Sequence, residues 1–381
     1  MILRSSLSLR LVILFSFSCL ITLPTEAQLI PWAKRKLNAF LSDTIPADQP
    51  RFLAYPTLAY APETSWEIGI SSLYLYHANR DTINRLSEIS AFTFITLERQ
   101  YGIWLDHALY SDQDTWFLLG RLRWQSFPLS YYGIGPDTPS EYLAIVDAQA
   151  LLLRERILRR IKGSYYLGFQ FDWQRLSNVS FKWEEPAGEL PTGSAGSSNL
   201  GLGLTLVHDD RHNVLNVRKG WFGEISYLDY RFGNLSEHSF RSFTLDGRYF
   251  MPVRQGQVLA TQIFAQSVTG DVPFNQLALM GGESLMRGYY LGRYRDRNLL
   301  AAQVEYRWLP FQFSQRFGGA LFVGAGQVAS QMNKINLSGF KLAGGGGVRF
   351  LIFKKKDIYT RLDVAFTEEG NGFYLFIGEA F

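Results

Sequence analysis

Over most of its length the chain alternates apolar and polar residues with a period of two, the repeat of a half-buried strand. In 199–208, Leu200, Leu202, Leu204 and Leu206 share one face, and Gly201, Gly203 and Thr205 share the other. In 301–308, Val304, Tyr306 and Trp308 alternate with Gln303, Glu305 and Arg307. Trp116, Leu118, Leu122 and Trp124 oppose Arg121 and Arg123, while Leu362, Val364 and Phe366 oppose Arg361, Asp363 and Ala365. A soluble sandwich also alternates, but its apolar face meets a second sheet. Here the polar face carries charges and glycines, and the apolar face is wide and aromatic. That pattern places lipid outside and a wet, crowded lumen inside.

Counting such segments predicts strands at 52–60, 64–77, 86–98, 101–111, 114–126, 142–158, 161–173, 199–209, 219–232, 238–251, 256–269, 297–309, 317–329, 339–353, 356–368 and 371–381. The predicted fold is all-β: a transmembrane antiparallel β-barrel of 16 strands. Sixteen is an even number, as a single-chain bacterial barrel requires. The longest connections, 127–141, 174–198 and 270–296, all follow odd-numbered strands and so fall on the outer side. Arg159-Arg160, 252–255 and Lys354-Lys355 read as tight inner turns, and the longer 210–220 breaks that rule.

The two ends of the chain agree with this reading. Arg4 and Arg10 precede an apolar run, and Thr25-Glu26-Ala27 resembles a cleavage site, so residues 1–27 read as a secretory signal peptide. The run is shorter than the ~20 residues a spanning helix needs, which disfavours an uncleaved anchor. Residues 28–50 form a short periplasmic segment, with Trp32 and Lys34-Arg35-Lys36 before the barrel at 51–381. At the other end, Phe373, Leu375, Ile377 and Phe381 read as a C-terminal strand signal, with Phe381 in lipid near the first–last strand seam. The expected location is the bacterial outer membrane, in contact with its lipids, lipopolysaccharide included.

Composition narrows the chemistry. The sole cysteine is Cys19, inside the export signal, so the mature chain has no disulfide framework. A net charge of +4 over 381 residues gives no reason to expect nucleic acid. No nucleophile elbow, zinc-protease helix or phosphate loop is present, and no catalytic residue, cofactor or metal site is expected. His208 and His212 are four apart, but they lie at a strand end and turn rather than on a helix. Gly344–Gly347 sits inside a strand, where it relieves crowding, marks a bend or admits close approach.

Gly281-Gly282-Glu283-Ser284-Leu285-Met286-Arg287-Gly288-Tyr289 resembles the lid-loop motif of the bacterial surface antigen superfamily, which contains the outer-membrane assembly factor and the two-partner secretion transporters. The stretch 208–220 is similar to that family's periplasmic turn, with His212 and Val217 in place of Asp and Pro, and 361–381 is similar to its closing strands. The resemblance covers 52–381 and implies an outer loop folded into the lumen. The family's periplasmic transport-associated domains have no counterpart in the short N-terminal segment, which implies a minimal branch. It also implies an acidic partner for the lid arginine on strand thirteen. Here Phe322-Val323-Gly324-Ala325-Gly326 puts Gly324 at that position. Arg287 therefore needs another carboxylate. Alternation turns Glu305 and Asp363 inward, so one of them is the expected partner, Asp363 slightly preferred, with Glu283 third. The resemblance implies assembly or translocation of a client polypeptide, with a separate periplasmic partner standing in for the missing domains. The alternative is a plugged or passive pore, or a structural barrel.

Overall fold

The computed structural model describes residues 46, 48–61, 65–97, 100–126, 128–184, 188–211 and 213–381. Residues 1–27, expected to be an export signal, the segment around Trp32 and Lys34-Arg35-Lys36, and His212 lie outside them. The strands are β1 (Arg51–Ala61), β2 (Ser65–His77), β3 (Leu86–Thr96), β4 (Tyr101–Tyr110), β5 (Trp116–Ser126), β6 (Leu129–Tyr131), β7 (Ala144–Lys162), β8 (Tyr165–Trp183), β9 (Ser197–Asp209), β10 (Gly220–Asp229), β11 (Phe240–Arg254), β12 (Gln257–Gly270), β13 (Ala278–Met280), β14 (Tyr294–Asp296), β15 (Asn298–Trp308), β16 (Phe317–Ala329), β17 (Lys341–Phe353), β18 (Ile358–Thr367) and β19 (Gly370–Ile377).

Seventeen of these belong to one sheet, and β13 and β14 form a separate small hairpin. β5 and β6 pair in succession with the same partner, β7, so the wall has the expected sixteen staves. Each stave pairs antiparallel with its neighbour in sequence, because each connection, whether a short turn or a long loop, returns the chain beside the strand it has just left. The sheet curls until its ends meet through side chains. Leu53 of β1, Leu75 of β2 and Leu86 of β3 pack with Ile352, Phe353 and Ile358 at the β17–β18 turn, and Ile377 of β19 joins them. Among the described residues no backbone ladder joins β1 to β19. β1 also carries Pro56, a residue that suits an edge strand because it has no N–H to donate.

Alternation holds on both faces. Leu204, Ile263, Leu321 and Phe373 are exposed on the outer wall, while Thr205, Gln262, Glu305 and Asp363 are buried inside. Trp116, Trp221 and Phe317 stand exposed near the rim of short turns. By the rule that outer loops are longer, that rim is periplasmic. Such aromatic side chains suit the membrane interface.

Several boundaries differ from the sequence reading. Arg159-Arg160 is not a turn: β7 runs through Lys162, and the reversal falls at Gly163, which has φ +54°. The 252–255 turn likewise moves to Gln255 and Gly256, where Gly256 has φ +73°. β8 continues to Trp183 rather than stopping at 173. A register shift between Asp147 and Gln149 absorbs Asn178 at φ +55°, so the polar run that looks like a loop is a bulged strand. β19 ends at Ile377, and the chain then leaves the wall.

Face assignment has a measurable consequence. Leu204→Arg, at an exposed outer position of β9, is expected to destabilise the barrel by about 2–4 kcal/mol in lipid vesicles, the cost of a charge at the bilayer midplane. Gln266→Arg, on the lumen side of β12, should cost far less in the same urea titration.

Candidate functional site: a lid clamped in the lumen

The connection between β12 and β15 carries the β13–β14 hairpin and turns into the barrel instead of standing above it. Gly281 and Gly282 have φ +114° and +112°, and a side chain at Gly281 would collide with the Tyr290 carbonyl. Their freedom lets the hairpin tip invert, and Met280, Met286, Tyr289 and Tyr294 are buried against Leu299, Ala301, Val328 and Ala343 of the inner wall. Gly288 N donates to the Tyr374 hydroxyl at 2.9 Å, the Tyr289 hydroxyl donates to Leu342 O at 3.1 Å, and Gln303 Nε2 donates to Ser284 O at 2.7 Å.

Arg287 sits at the tip, 1% exposed. Its Nη1 donates to Asp363 Oδ2 at 2.6 Å, and its Nη2 donates to Glu305 Oε2. The guanidinium carbon lies 3.5 Å from the centre of the Phe322 ring. Both inward carboxylates are engaged, where the sequence reading expected one. Glu283 makes no ion pair with Arg287: it contributes its main-chain carbonyl, which accepts from Arg361 Nη2 at 3.1 Å. At Gly324, where the family carries an acid, a Cβ would come 3.2 Å from the Met286 sulfur. Lid methionine fills the space that a carboxylate would need, and the arginine turns instead to Glu305 of β15 and Asp363 of β18.

Three more arginines complete the cluster. Arg349 donates to Asp363 and, at 3.1 Å, to Glu305 Oε1. Arg307 Nε donates to Glu305 Oε1 at 2.8 Å, and Arg361 Nη1 donates to Asp363 Oδ2 at 2.6 Å. Each carboxylate thus faces three guanidinium groups. Charges this deeply buried persist only when paired and hydrogen-bonded, which is what the fork geometry of arginine supplies. The glycine run of β17 makes room for them. Gly347 leaves space for the Asp363 carboxylate, and a Cβ at Gly345 would come 2.7 Å from the Phe322 ring.

The third carboxylate is Glu379, which accepts from Arg349 Nε at 3.0 and 3.2 Å and lies 3.6 Å from Arg307 Nε. This corrects the expectation for the end of the chain. Phe373 and Leu375 do face outward, but Phe381 does not sit in lipid. After Ile377 the chain bends inward at Gly378, φ +87°, because Glu379 finds two buried guanidiniums there. The Phe381 ring packs with Val217, Phe250, Val258 and Ala260, its carbonyl accepts from Arg307 Nη2 at 3.1 Å, and Glu379 N donates to Leu215 O at 3.0 Å.

Leu215 belongs to the long inner turn between β9 and β10, which spans the periplasmic mouth as a strap. Asn213 and Asn216 donate to the carbonyls of Lys356 and Asp357 at 2.9 and 3.0 Å. Arg218 is paired with the Asp357 carboxylate and donates to Leu309 O at 2.7 Å. Val217 is fully buried, so the residue that replaces the family proline packs on the tail. On the outer side Gly135 N donates to Arg295 O at 2.8 Å, Arg293 Nη1 donates to Thr138 Oγ1 at 2.7 Å, and Phe274 N donates to Thr192 O at 2.9 Å. The ordered outer loop around Tyr131–Asp137 therefore holds the lid from above. Beside the lid a polar cavity remains, lined by Arg154, Gln170, Glu224, Tyr230, Asp246 and Gln276.

Alternation marks Glu305, Arg307, Arg361 and Asp363 as inward. Arg349 shares parity with Gly345 and Gly347 and was findable by the same test. Glu379 was not, because it lies past the point where the strand stops.

Asp363→Asn should cost about 3–5 kcal/mol, the range for breaking a buried ion pair, since Arg287, Arg349 and Arg361 all lose charge compensation. The melting of the folded band in semi-native electrophoresis reads this. Arg287→Ala should loosen the lid and raise single-channel conductance, and an unchanged conductance would count against a clamped lid. Glu379→Gln should speed hydrogen exchange at 213–219 while leaving β5–β8 unaltered, as expected if the tail holds the strap.

Comparison with known proteins follows this geometry. No curated protein matches the chain by sequence. Among solved structures, BamA from Haemophilus ducreyi lacking POTRA domains 1–3 superposes with a TM-score of 0.52 at 13% identity, covering 86% of this chain and 69% of that one. CdiB from Acinetobacter baumannii gives 0.52 at 12% identity, covering 86% and 59%. CdiB from Escherichia coli gives 0.51 at 10%, covering 87% and 60%. These likenesses establish the barrel fold. The family model for the Omp85 superfamily domain matches residues 143–381, which include the lid, the strap and the closing strands. The chain belongs to the Omp85 superfamily.

Proposed function

We propose that this chain is a bacterial outer-membrane barrel that aids insertion or export of outer-membrane or surface polypeptides, with a lid-gated lumen and a first–last strand seam that opens. One observation carries the reading. Among the described residues every other pair of neighbouring staves shares a backbone ladder, whereas β1 and β19 are held by apolar side chains such as Leu53 and Ile377. Parting them exposes strand edges without first breaking a ladder, and an exposed edge is a template for an incoming strand. The likeness to assembly and secretion barrels supports the same reading.

The parts then take roles. Arg287 holds the lid closed through Glu305 and Asp363, and the strap and tail close the other mouth. Export depends on cleavage of the signal at 1–27, and a separate periplasmic protein delivers the client. The lipids of the outer membrane, lipopolysaccharide included, surround the wall. The chemistry is mechanical and electrostatic, not enzymatic. A second reading, a pore, draws on the polar cavity beside the lid, whose lining of arginines, carboxylates and amides suits water and ions.

Depletion followed by quantitation of outer-membrane proteins and surface lipids separates the two. Loss of a defined set of proteins, restored by wild type and not by Arg287→Ala, is the expected outcome. An unchanged membrane, with conductance through the purified barrel, would favour the pore.

A further inference from the structure

The glycine run of β17 has two faces. Inward, Gly345 and Gly347 admit Phe322 and Asp363. Outward, a Cβ on Gly344 would meet only the Phe322 carbonyl at 3.5 Å, and one on Gly346 would meet Leu321 and the Ala320 carbonyl. On the next stave Gly319 also leaves the outer surface low, filled only by the Phe311 ring, 2.7 Å from where its Cβ would be. The result is an open groove of about 450 Å³ on the membrane face. Gly319 and Gly346 form its floor. Trp308 and Phe311 stand on one side, and Leu362 and Val364 on the other. Leu321, Val348 and Leu362 are exposed, so nothing among the described residues covers them.

The groove descends to the periplasmic rim, where its chemistry changes. The Phe317 and Phe350 rings meet at 5.1 Å below it, and Phe311 stacks on Phe313, which is 87% exposed on the β15–β16 turn. A cation follows immediately: the exposed Lys354 directly follows β17, while Arg316, just before Phe317, donates from its guanidinium to the Leu351 carbonyl at 2.9 Å. Lys354 thus places positive charge at the depth of lipid phosphates, and a long cationic side chain near the interface extends toward that layer.

We propose that this groove holds one acyl chain of a phospholipid of the periplasmic leaflet, its phosphate drawn to Lys354. An apolar trough ending in aromatic rings and then a cation matches a lipid from tail to headgroup. A protein strand would need free backbone donors and acceptors, whereas β16 and β17 are each paired on both sides. The ion cluster of the lid and the acyl chain are then separated at Gly345–Gly347 by a single layer of backbone.

The test is native mass spectrometry of the full barrel after extensive detergent exchange, with bound lipids identified by mass. Wild type should keep one phospholipid. Gly346→Leu, which fills the trough, should reduce that species about tenfold by replacing acyl–wall contacts. Gly223→Leu, an outward position on β10 with nothing within 4 Å of its Cβ, should leave it unchanged. Lys354→Glu disturbs no buried contact and should also weaken retention, so the proposal stays testable if Gly346→Leu fails the heat-modifiable mobility check. Equal lipid on wild type and both groove variants, a wild type that keeps none, or a dimer mass in place of the lipid would overturn it.

Discussion

The architecture turns on one constraint: a guanidinium buried in a barrel lumen must have carboxylates. Arg287 enters from the outer loop, Arg307, Arg349 and Arg361 project from the wall, and among the described residues the carboxylates of Glu305, Asp363 and Glu379 answer them. Removing any one carboxylate strands charge that has no route to water. The lid is therefore held in one place by electrostatics, with methionine and tyrosine packing as the filler around it. Arginine suits the task because its planar fork bonds several acids at once, two for Arg287 and three for Arg349.

This cluster also connects parts that look unrelated along the chain. From Arg287 it runs through Glu305 to Arg307 and the Phe381 carbonyl, and through Asp363 to Arg349 and Glu379. Glu379 binds the Leu215 carbonyl through its own N–H. Outer lid, lumen and periplasmic strap form one network of direct contacts, a route by which displacement at one mouth reaches the other.

Much of this was legible in the sequence. A strict period of two along Leu202, Leu204 and Leu206, or Val304, Tyr306 and Trp308, fixes which face meets lipid, so staves, parity and inward charges follow from pattern alone. The lid motif stands out because glycines at positive φ leave a local signature. What escaped had no local signal. The bulge at Asn178 reads as a turn because its polar neighbours favour one, and long-range pairing with β7 overrides them. The inward bend at Gly378 is set by Arg307 and Arg349, both far away in sequence. Gly324 has no side chain with which to accept the lid arginine. That Met286 occupies its place depends on the depth to which the loop descends, which no local pattern encodes.

The position of the clamp along the chain has a consequence for how the molecule is built. All seven charged members lie between Arg287 and Glu379, contributed by the lid, β15, β17, β18 and the tail. None comes from β1–β12. The final third of the polypeptide thus contains every charged partner of the clamp, although those partners lie as far as 76 residues apart along the chain. What ties this third to the rest of the cylinder is of another kind: the strap, the outer-loop hydrogen bonds, the seat of Phe381 on Val217 and Phe250, and the apolar seam with β1–β3, so the charge is self-contained and the closure of the wall and its two mouths is not.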